Sequence, residues 1–466
     1  MRERGETSLL NGINKIHFVG IGGAGMSAIA KILVEKGFQV SGSDLHDSEI
    51  VSKLKTLGAT IYYGQKKENV AGVDAIVVST AISEENPEVI AAKENNIKIF
   101  HRSDIVATLM NKEKGIAVAG AHGKTTTTSM LGVMLDHAGV EPSIIIGGEV
   151  DYLGSNAKLG NGEYLVAEAD ESDGSFLKLL PKFAIVTNIE NDHMDFYGTM
   201  ENILKTFEKF LNNLPKEDGL AVLCFNNTHI KNIAKTLDRK YVSYAIDVEA
   251  DYIGKNITTN GAGTSFEVYH HGENLGMISL NVPGKHNVLN ALAAIVVGHH
   301  IGLSFTAMAA AFREFNGAKR RFQTKGRVND VWVVDDYAHH PTELSTTLAA
   351  ARQTKPKRLI CAFQPHRYSR TQLLLKEFGV CFDEADLLVL TDIYSAGEAP
   401  IEGVSGETMK AEVENHMHKE IVYIAERKDI APYLSEVVQE GDLVMTMGAG
   451  DIYLTGEELV ALLNKK

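Results

Sequence analysis

GIAVAGAHGKTTTTSM (residues 115–130) runs from an apolar stretch, Ile116 to Ala119, through a glycine-rich turn into a segment with helical spacing. Such a turn ends a strand and opens a helix whose first backbone N–H groups lack partners, an arrangement that receives phosphate groups. Gly120, Ala121, His122 and Gly123 form the turn, with Lys124 placed to neutralise the terminal phosphates, the Thr125 hydroxyl to ligate Mg²⁺, and Thr126 next to it. The usual phosphate-loop spacing is not met, because Val118 stands where the first glycine belongs. Strand, turn and helix in this order predict an α/β domain with a parallel sheet, and ATP as its ligand.

Downstream, two strand ends supply candidate ligands for a hard cation: Glu168 in LVAEADESD (165–173), and Asp192 with His193 in IVTNIENDHMD (185–195). Asp170, Glu171 and Asp173 read as part of the same acidic loop. Residues Asp251 to Val282 alternate in short segments broken by Asn, Gly and Thr, which predicts antiparallel strands added at the domain edge. Helices are expected from Asn287 to His300 and from Phe305 to Phe312.

Upstream, KIHFVGIGGAGMSAIAKIL (15–33) places Gly20, Gly22 and Gly25 as G-x-G-x-x-G between a strand and a helix, with Asp44 at the end of the next strand. The glycines allow a diphosphate to approach the backbone, and the carboxylate suits a ribose or base. NAD, FAD and a UDP-sugar all meet that requirement. Further strands at Ala75 to Val78, and helices near Ser48 to Leu57 and Pro87 to Lys93, continue the alternation.

After the basic run GAKRRFQTKGR (317–327) a third α/β series begins, with strands at Val331 to Asp335, Arg358 to Phe363, Leu387 to Leu390 and Leu443 to Met447. Three polar loops follow strands here: VDDYAHHPTE (334–343), FQPHRYSRT (363–371) and TDIYSAGE (391–398). Their Asp335, Asp336, His339, His340, His366, Arg367, Arg370 and Tyr394 would hold a small polar substrate. The pairs His270–His271 and His299–His300 are discounted as metal sites, being far apart in sequence. The domains are expected at 1–110, 111–323 and 324–466: Rossmann-like, central phosphate-loop ATPase-like with a mostly parallel sheet, and C-terminal Rossmann-like.

Composition agrees with this reading. At 466 residues the chain is long enough for about three domains. Its 44% hydrophobic and 23% charged residues are those of a globular protein. A net charge of −14 disfavours nucleic acid and anionic membrane surfaces. Cys224, Cys361 and Cys381 lack zinc or redox spacing, and no apolar run of about 18 residues is present. The N-terminus lacks the apolar segment of an export signal, so a cytoplasmic monomer or homodimer without membrane insertion is expected.

GIGGAGMS, AHGKTTTT, EADESD, NIENDHMD, GKHNVLNALAA, KRRFQ, DDYAHHPTE, FQPHRYSRT and YSAGE, in this order, resemble the Mur ligase family over nearly the whole chain. The resemblance implies an ATP- and Mg²⁺-dependent amide ligase of peptidoglycan precursor synthesis, joining L-alanine to the carboxylate of UDP-N-acetylmuramate through an acyl phosphate. It turns the N-terminal fingerprint into a UDP-sugar site of Gly22, Gly23, Ala24, Gly25 and Met26, with Asp44 and Arg102. It assigns Lys124 to the β- and γ-phosphates, Thr125, Glu168 and His193 to the metal, and Asn290 to adenine. Arg321 and Asp336 would contact ATP from the hinge and the C-terminal domain, and His339, His340, Arg367 and Arg370 would serve the alanine and reacting-phosphate side. Relatives in the family carry a carbamylated lysine after the DHMD-like segment; Lys205 and Lys209 lie nearby, and neither is matched. Rival readings are a tripeptide-adding or folylpolyglutamate ligase of the same family, a Rossmann oxidoreductase with an ATP-binding regulatory domain, and a catalytically idle UDP-sugar binder.

Overall fold

The computed structural model describes residues 9–465; most of the N-terminal stretch read for an export signal lies outside them. Among the described residues the chain is α/β, with three sheets. It divides into two compact units: one runs to Lys255 and takes in Glu267–Ile278 and Leu289–Phe315, the other comprises Asn256–Phe266, Ser279–Val288 and Asn316–Lys466.

In the first unit a five-stranded parallel sheet has the spatial order Thr60–Tyr63, Gln39–Asp44, Lys15–Val19, Ala75–Val78, Lys98–His101. The order reverses at Lys15–Val19, so the Gly20–Met26 turn emerges where parallel sheets receive ligands. A ten-stranded sheet follows. At its centre Lys114–Ala119 lies between Phe183–Val186 and Tyr164–Glu168, all parallel. Three loops separated by tens of residues therefore leave the sheet side by side, those beginning at Gly120, Ala169 and Thr187. These strands read as continuous apolar runs because both sheet faces are covered by helices.

The segment expected to be antiparallel forms three strands, Tyr252–Asn260, Gly263–His270 and Glu273–Leu280. Its first strand differs from expectation, pairing in parallel with Tyr241–Ile246. The Asp251 carboxylate fastens this short crossover by accepting from the Ser243 N–H at 2.8 Å and the Ser243 hydroxyl at 2.6 Å.

The second unit holds a six-stranded sheet in the order Gln323–Val328, Val331–Asp336, Asp442–Met447, Arg358–Phe363, Leu387–Leu390, Glu420–Tyr423. Only the first strand is antiparallel. Alternate residues feed two cores: Trp332 and Val334 pack with Leu344 and Leu348, whereas Val331 and Val333 pack with Ile430 and Leu459. The helix Pro341–Gln353 begins on a proline, and the His340 ring caps it by accepting from the Thr342 N–H.

Candidate active site

Two loops in the first unit are shaped for anions. At the N-terminal fingerprint the helix Ala24–Glu35 starts from Gly23 with no side-chain cap, leaving its first N–H groups turned outward. The Gly22 N–H donates to Asp44 Oδ2 at 2.9 Å, and a Cβ on Gly22 would lie 2.8 Å from that oxygen. A Cβ on Gly25 would lie 3.0 Å from Arg102 Nη1. Gly22, Gly25, Asp44 and Arg102 thus come together, with Ala24 and Met26 opening the same helix.

The second loop is clamped from behind. Gly123, at φ +82°, caps the helix Lys124–His137, and a Cβ there would stand 2.7 Å from Asn290 Oδ1. Asn290 accepts from the Thr127 hydroxyl at 3.1 Å, so it braces the loop's glycine and its helix together. Asn188 holds both polar groups of the His122 backbone, taking its N–H at 2.8 Å and donating to its carbonyl at 2.9 Å. Thr187 adds a hydrogen bond to the same carbonyl at 2.7 Å. Thr187 and Asn188 were not singled out in the sequence, although Asn188 opens the NIENDH segment and Thr187 precedes it.

Lys124 folds back onto its own loop, donating to the carbonyls of Gly120 at 2.6 Å and Ala121 at 3.2 Å. It also meets Glu171 Oε1 at 2.7 Å. Burial works to lower the lysine pKa, and the Glu171 charge more than offsets it, leaving it raised. Glu168 accepts from the Gly147 N–H at 2.7 Å. His193, at φ +55°, has Nε2 3.5 Å from Asp192 and 3.6 Å from Glu171. Burial opposes its protonation, but these carboxylates raise its pKa. Arg102 is paired with Asp170. Lys205 and Lys209 are exposed on the helix Met200–Leu211, Lys205 in an ion pair with Glu201.

In the second unit Asp336 accepts from the N–H groups of Phe322 at 2.7 Å and Ala338 at 2.8 Å, and burial pushes its pKa up to about 6. Arg321 reaches Glu343 at 3.7 Å and packs over Tyr337. The adjacent Arg320 is the structural clamp: it bonds Asp335 at 3.1 Å and the carbonyls of Gly448 and Gly450 at 2.6 and 3.1 Å, between the rings of Tyr337 and Tyr453. His339 donates from Nδ1 to the Tyr337 carbonyl at 2.9 Å and lies 5.9 Å from the His366 ring. His366 stacks on Tyr394 and meets Arg370 at 3.3 Å. Burial holds His339 down at about 4 and His366 at about 3, so both are neutral near pH 7. Arg367, at φ +69°, donates its N–H to the Tyr394 carbonyl at 2.9 Å.

The three polar loops expected from sequence therefore meet, because two of their strands flank Asp442–Met447 in the sheet and the third, Leu387–Leu390, lies beside Arg358–Phe363. A fourth loop, Gly448–Asp451, was missed; its strand followed by G-x-G was the available signal. The discounted histidines also come together. His271 sits at φ +47°, where strand alternation has ended, and its ring lies 4.3 Å from that of His270. His270 lies 5.4 Å from His299, and His299 accepts or donates at 2.6 Å with the Tyr252 hydroxyl. No three such side chains form a metal-ready cluster among the described residues. Among those residues no helix is long and apolar enough to cross a membrane.

Known proteins resemble this chain along its length. Family models described as Mur ligase family catalytic domain, Mur ligase middle domain, and Mur ligase glutamate ligase domain match residues 15–114, 118–298 and 320–450. The UDP-N-acetylmuramate–L-alanine ligase of Pelotomaculum thermopropionicum is 49% identical over 97% of this chain and 98% of its own. That of Geobacter sulfurreducens is 50% identical over 97% and 98%. The crystal structure of UDP-N-acetylmuramate–alanine ligase from Thermotoga maritima superposes with a TM-score of 0.83 at 29% identity, covering 97% of this chain and 99% of that one. A murein peptide ligase from Psychrobacter arcticus gives 0.73 at 25%, covering 98% and 99%. With half its residues shared over nearly the full length, and the same three-domain α/β architecture, the chain belongs to the Mur ligase family.

Proposed function

We propose that this protein joins L-alanine to UDP-N-acetylmuramate at the expense of ATP, in the cytoplasm, as a step of peptidoglycan precursor synthesis. The observation that carries this reading is the likeness, along almost the entire chain, to relatives bearing that activity. The three-part division at 1–110, 111–323 and 324–466 belongs to the same proposal.

The chemistry follows from the electrophile. A carboxylate resists attack by an amine because oxide would have to leave, so its oxygen first attacks the γ-phosphorus of ATP, the bond to the β-phosphate oxygen breaks, and ADP departs. The amine of alanine then adds to the acyl carbon and phosphate leaves, giving the amide. Lys124, on the loop of Gly120 to Thr126, disperses the charge of the transferring phosphoryl group. Asn290 keeps that loop in shape from behind and faces adenine, while Arg321 and Asp336 supply further contacts to ATP.

The residues fit Mg²⁺. Glu168, whose carboxylate accepts from the Gly147 N–H at 2.7 Å, and Thr125, in the first turn of the helix that follows the phosphate loop, both offer oxygen donors. Oxygen donors are what this cation requires. Thr125, Glu168 and His193 would hold Mg²⁺, which would supply charge neutralisation at the phosphates when bound. Gly22, Gly23, Ala24, Gly25 and Met26, with Asp44 and Arg102, take the UDP-sugar. His339, His340, Arg367 and Arg370 serve the amino acid and the reacting phosphate.

Phosphate release from ATP and Mg²⁺ with UDP-N-acetylmuramate tests this, with L-alanine, glycine, L-serine or L-Ala-γ-D-Glu-diaminopimelate as acceptor. Turnover favouring L-alanine is expected. Turnover with the tripeptide alone would move the protein to the peptide-adding branch, and silence with every acceptor would remove the substrate assignment.

A further inference from the structure

Lys124 and Arg102 are the cations assigned above to the phosphates of ATP and to the UDP-sugar, and adjacent residues of one loop already face them. Asp170 pairs with Arg102, and Glu171 takes Lys124 at 2.7 Å. The loop is pinned. The Ser172 N–H donates to Asp170 Oδ1 at 3.0 Å, the Phe176 N–H to the Asp170 carbonyl at 3.2 Å, and the Tyr197 hydroxyl to the Glu171 carbonyl. Glu171 is only 3% exposed, and its Oε2 is buried without a hydrogen-bond partner. A carboxylate placed there loses solvation that only a neighbouring cation offsets. An incoming phosphate competes for that same cation and meets the carboxylate's repulsion at close range. Asp170, on the other side, is only half-buried and has both oxygens partnered; although burial works to raise its pKa, Arg102 and, at longer range, Lys124 hold it well below the usual carboxylate range.

We propose that Asp170 and Glu171 are built-in stand-ins for the ligands' phosphates, each neutralising its own cation in the free protein and each setting how strongly a bare anion is rejected from its side of the site. This rests on the assignment of ATP and UDP-N-acetylmuramate made above. For Glu171 the consequence is selectivity. Metal-free ATP brings its full negative charge against the buried carboxylate, whereas ATP carrying Mg²⁺ brings less. Both are positioning residues, acting through Lys124 and Arg102.

Calorimetric titration of the full chain tests the proposal, using ATP in EDTA, ATP with Mg²⁺, and UDP-N-acetylmuramate, against wild type, Glu171→Gln and Asp170→Asn. Glu171→Gln is expected to tighten metal-free ATP about tenfold or more while leaving the UDP-sugar within about twofold; Asp170→Asn should do the reverse. Glu171→Asp, which keeps the charge, is expected to keep the wild-type preference for metal-bound nucleotide. Metal-free ATP binding to Glu171→Gln no more tightly than to wild type, or both variants altering both ligands alike, overturns the proposal. So does Glu171→Asp behaving like Glu171→Gln. A wild type that binds neither ligand would bring down the functional reading itself, and the proposal with it.

Discussion

Lys124 and Arg102 in the first unit and Arg370 in the second keep different company. Around the phosphate loop Lys124 and Arg102 face the carboxylates Glu171 and Asp170. On the C-terminal sheet Arg370 touches His366, and His366 and the neighbouring His339 are held neutral by burial. The first arrangement is a salt-bridged resting state, in which a ligand anion must displace an internal one. The second sets a ring beside Arg370 that adds hydrogen-bonding capacity without adding charge near pH 7. A buried ion pair contributes little net stability yet is costly to break from one side, so the phosphate-loop unit is primed for exchange. Neutral imidazoles instead make the C-terminal unit sensitive to acid.

The largest effect is expected where the first arrangement meets chemistry. Lys124→Ala should lower ATP-dependent turnover by about a thousandfold or more, measured as phosphate release, and should also lower the melting temperature, because the buried Glu171 carboxylate loses its lysine partner. Arg320→Ala comes next. It strands Asp335, which is fully buried, and should cost about 3–5 kcal/mol in urea unfolding, since one partner of a buried pair is removed. A third test, Gly123→Ala, asks whether the loop's shape matters as much as its charge. At φ +82° the added Cβ would stand 2.7 Å from Asn290 Oδ1, and a loss of about 1–3 kcal/mol is expected together with weaker nucleotide binding.

The acid sensitivity of the second arrangement has a defined sign. The folded-state pKa of His339 lies at about 4, below its ordinary 6.5. The unfolded chain therefore takes up the proton first. Its contribution to stability is complete above pH 6.5 and is lost progressively as pH falls toward 4. Asp336, raised to about 6, works in the opposite direction, favouring the fold below its ordinary 3.8 and losing that contribution as pH rises through about 6. His339→Asn should accordingly show a shallower fall in melting temperature between pH 7 and pH 4.5 than wild type. The smallest effect belongs to Lys205→Ala. Its partner Glu201 and Lys205 itself are 74% and 66% exposed, so no measurable shift in melting temperature is expected in thermal unfolding.

The same contrast explains what could be read from the sequence. Phosphate binding by backbone imposes residue types at fixed spacing, so Gly20 to Gly25 and Gly120 to Thr125 were legible as a strand, a turn and a helix. Their roles were not equally legible. The fingerprint at Gly20 alone left NAD, FAD and UDP-sugars open, and only its company with the later segments narrowed them. The C-terminal loops were visible as polar strand ends, but their meeting depends on Asp442–Met447 lying between Val331–Asp336 and Arg358–Phe363, which no local pattern records. Glu171 illustrates the remaining gap. In sequence it is one acid among several in EADESD, and only the fold turns it inward onto Lys124 while leaving Asp173 in a different environment. The nearness of His270 to His299 was likewise not legible, because residues far apart in sequence are brought together only by the fold.

The acyl phosphate is the step on which the functional account turns, and isotope transfer reads it directly. UDP-N-acetylmuramate labelled with ¹⁸O in its carboxylate would be turned over with ATP, Mg²⁺ and L-alanine, and the released phosphate analysed by mass spectrometry. One ¹⁸O atom in each phosphate is the predicted result, because the carboxylate oxygen that attacked phosphorus leaves with it. Unlabelled phosphate accompanying amide formation would contradict the account.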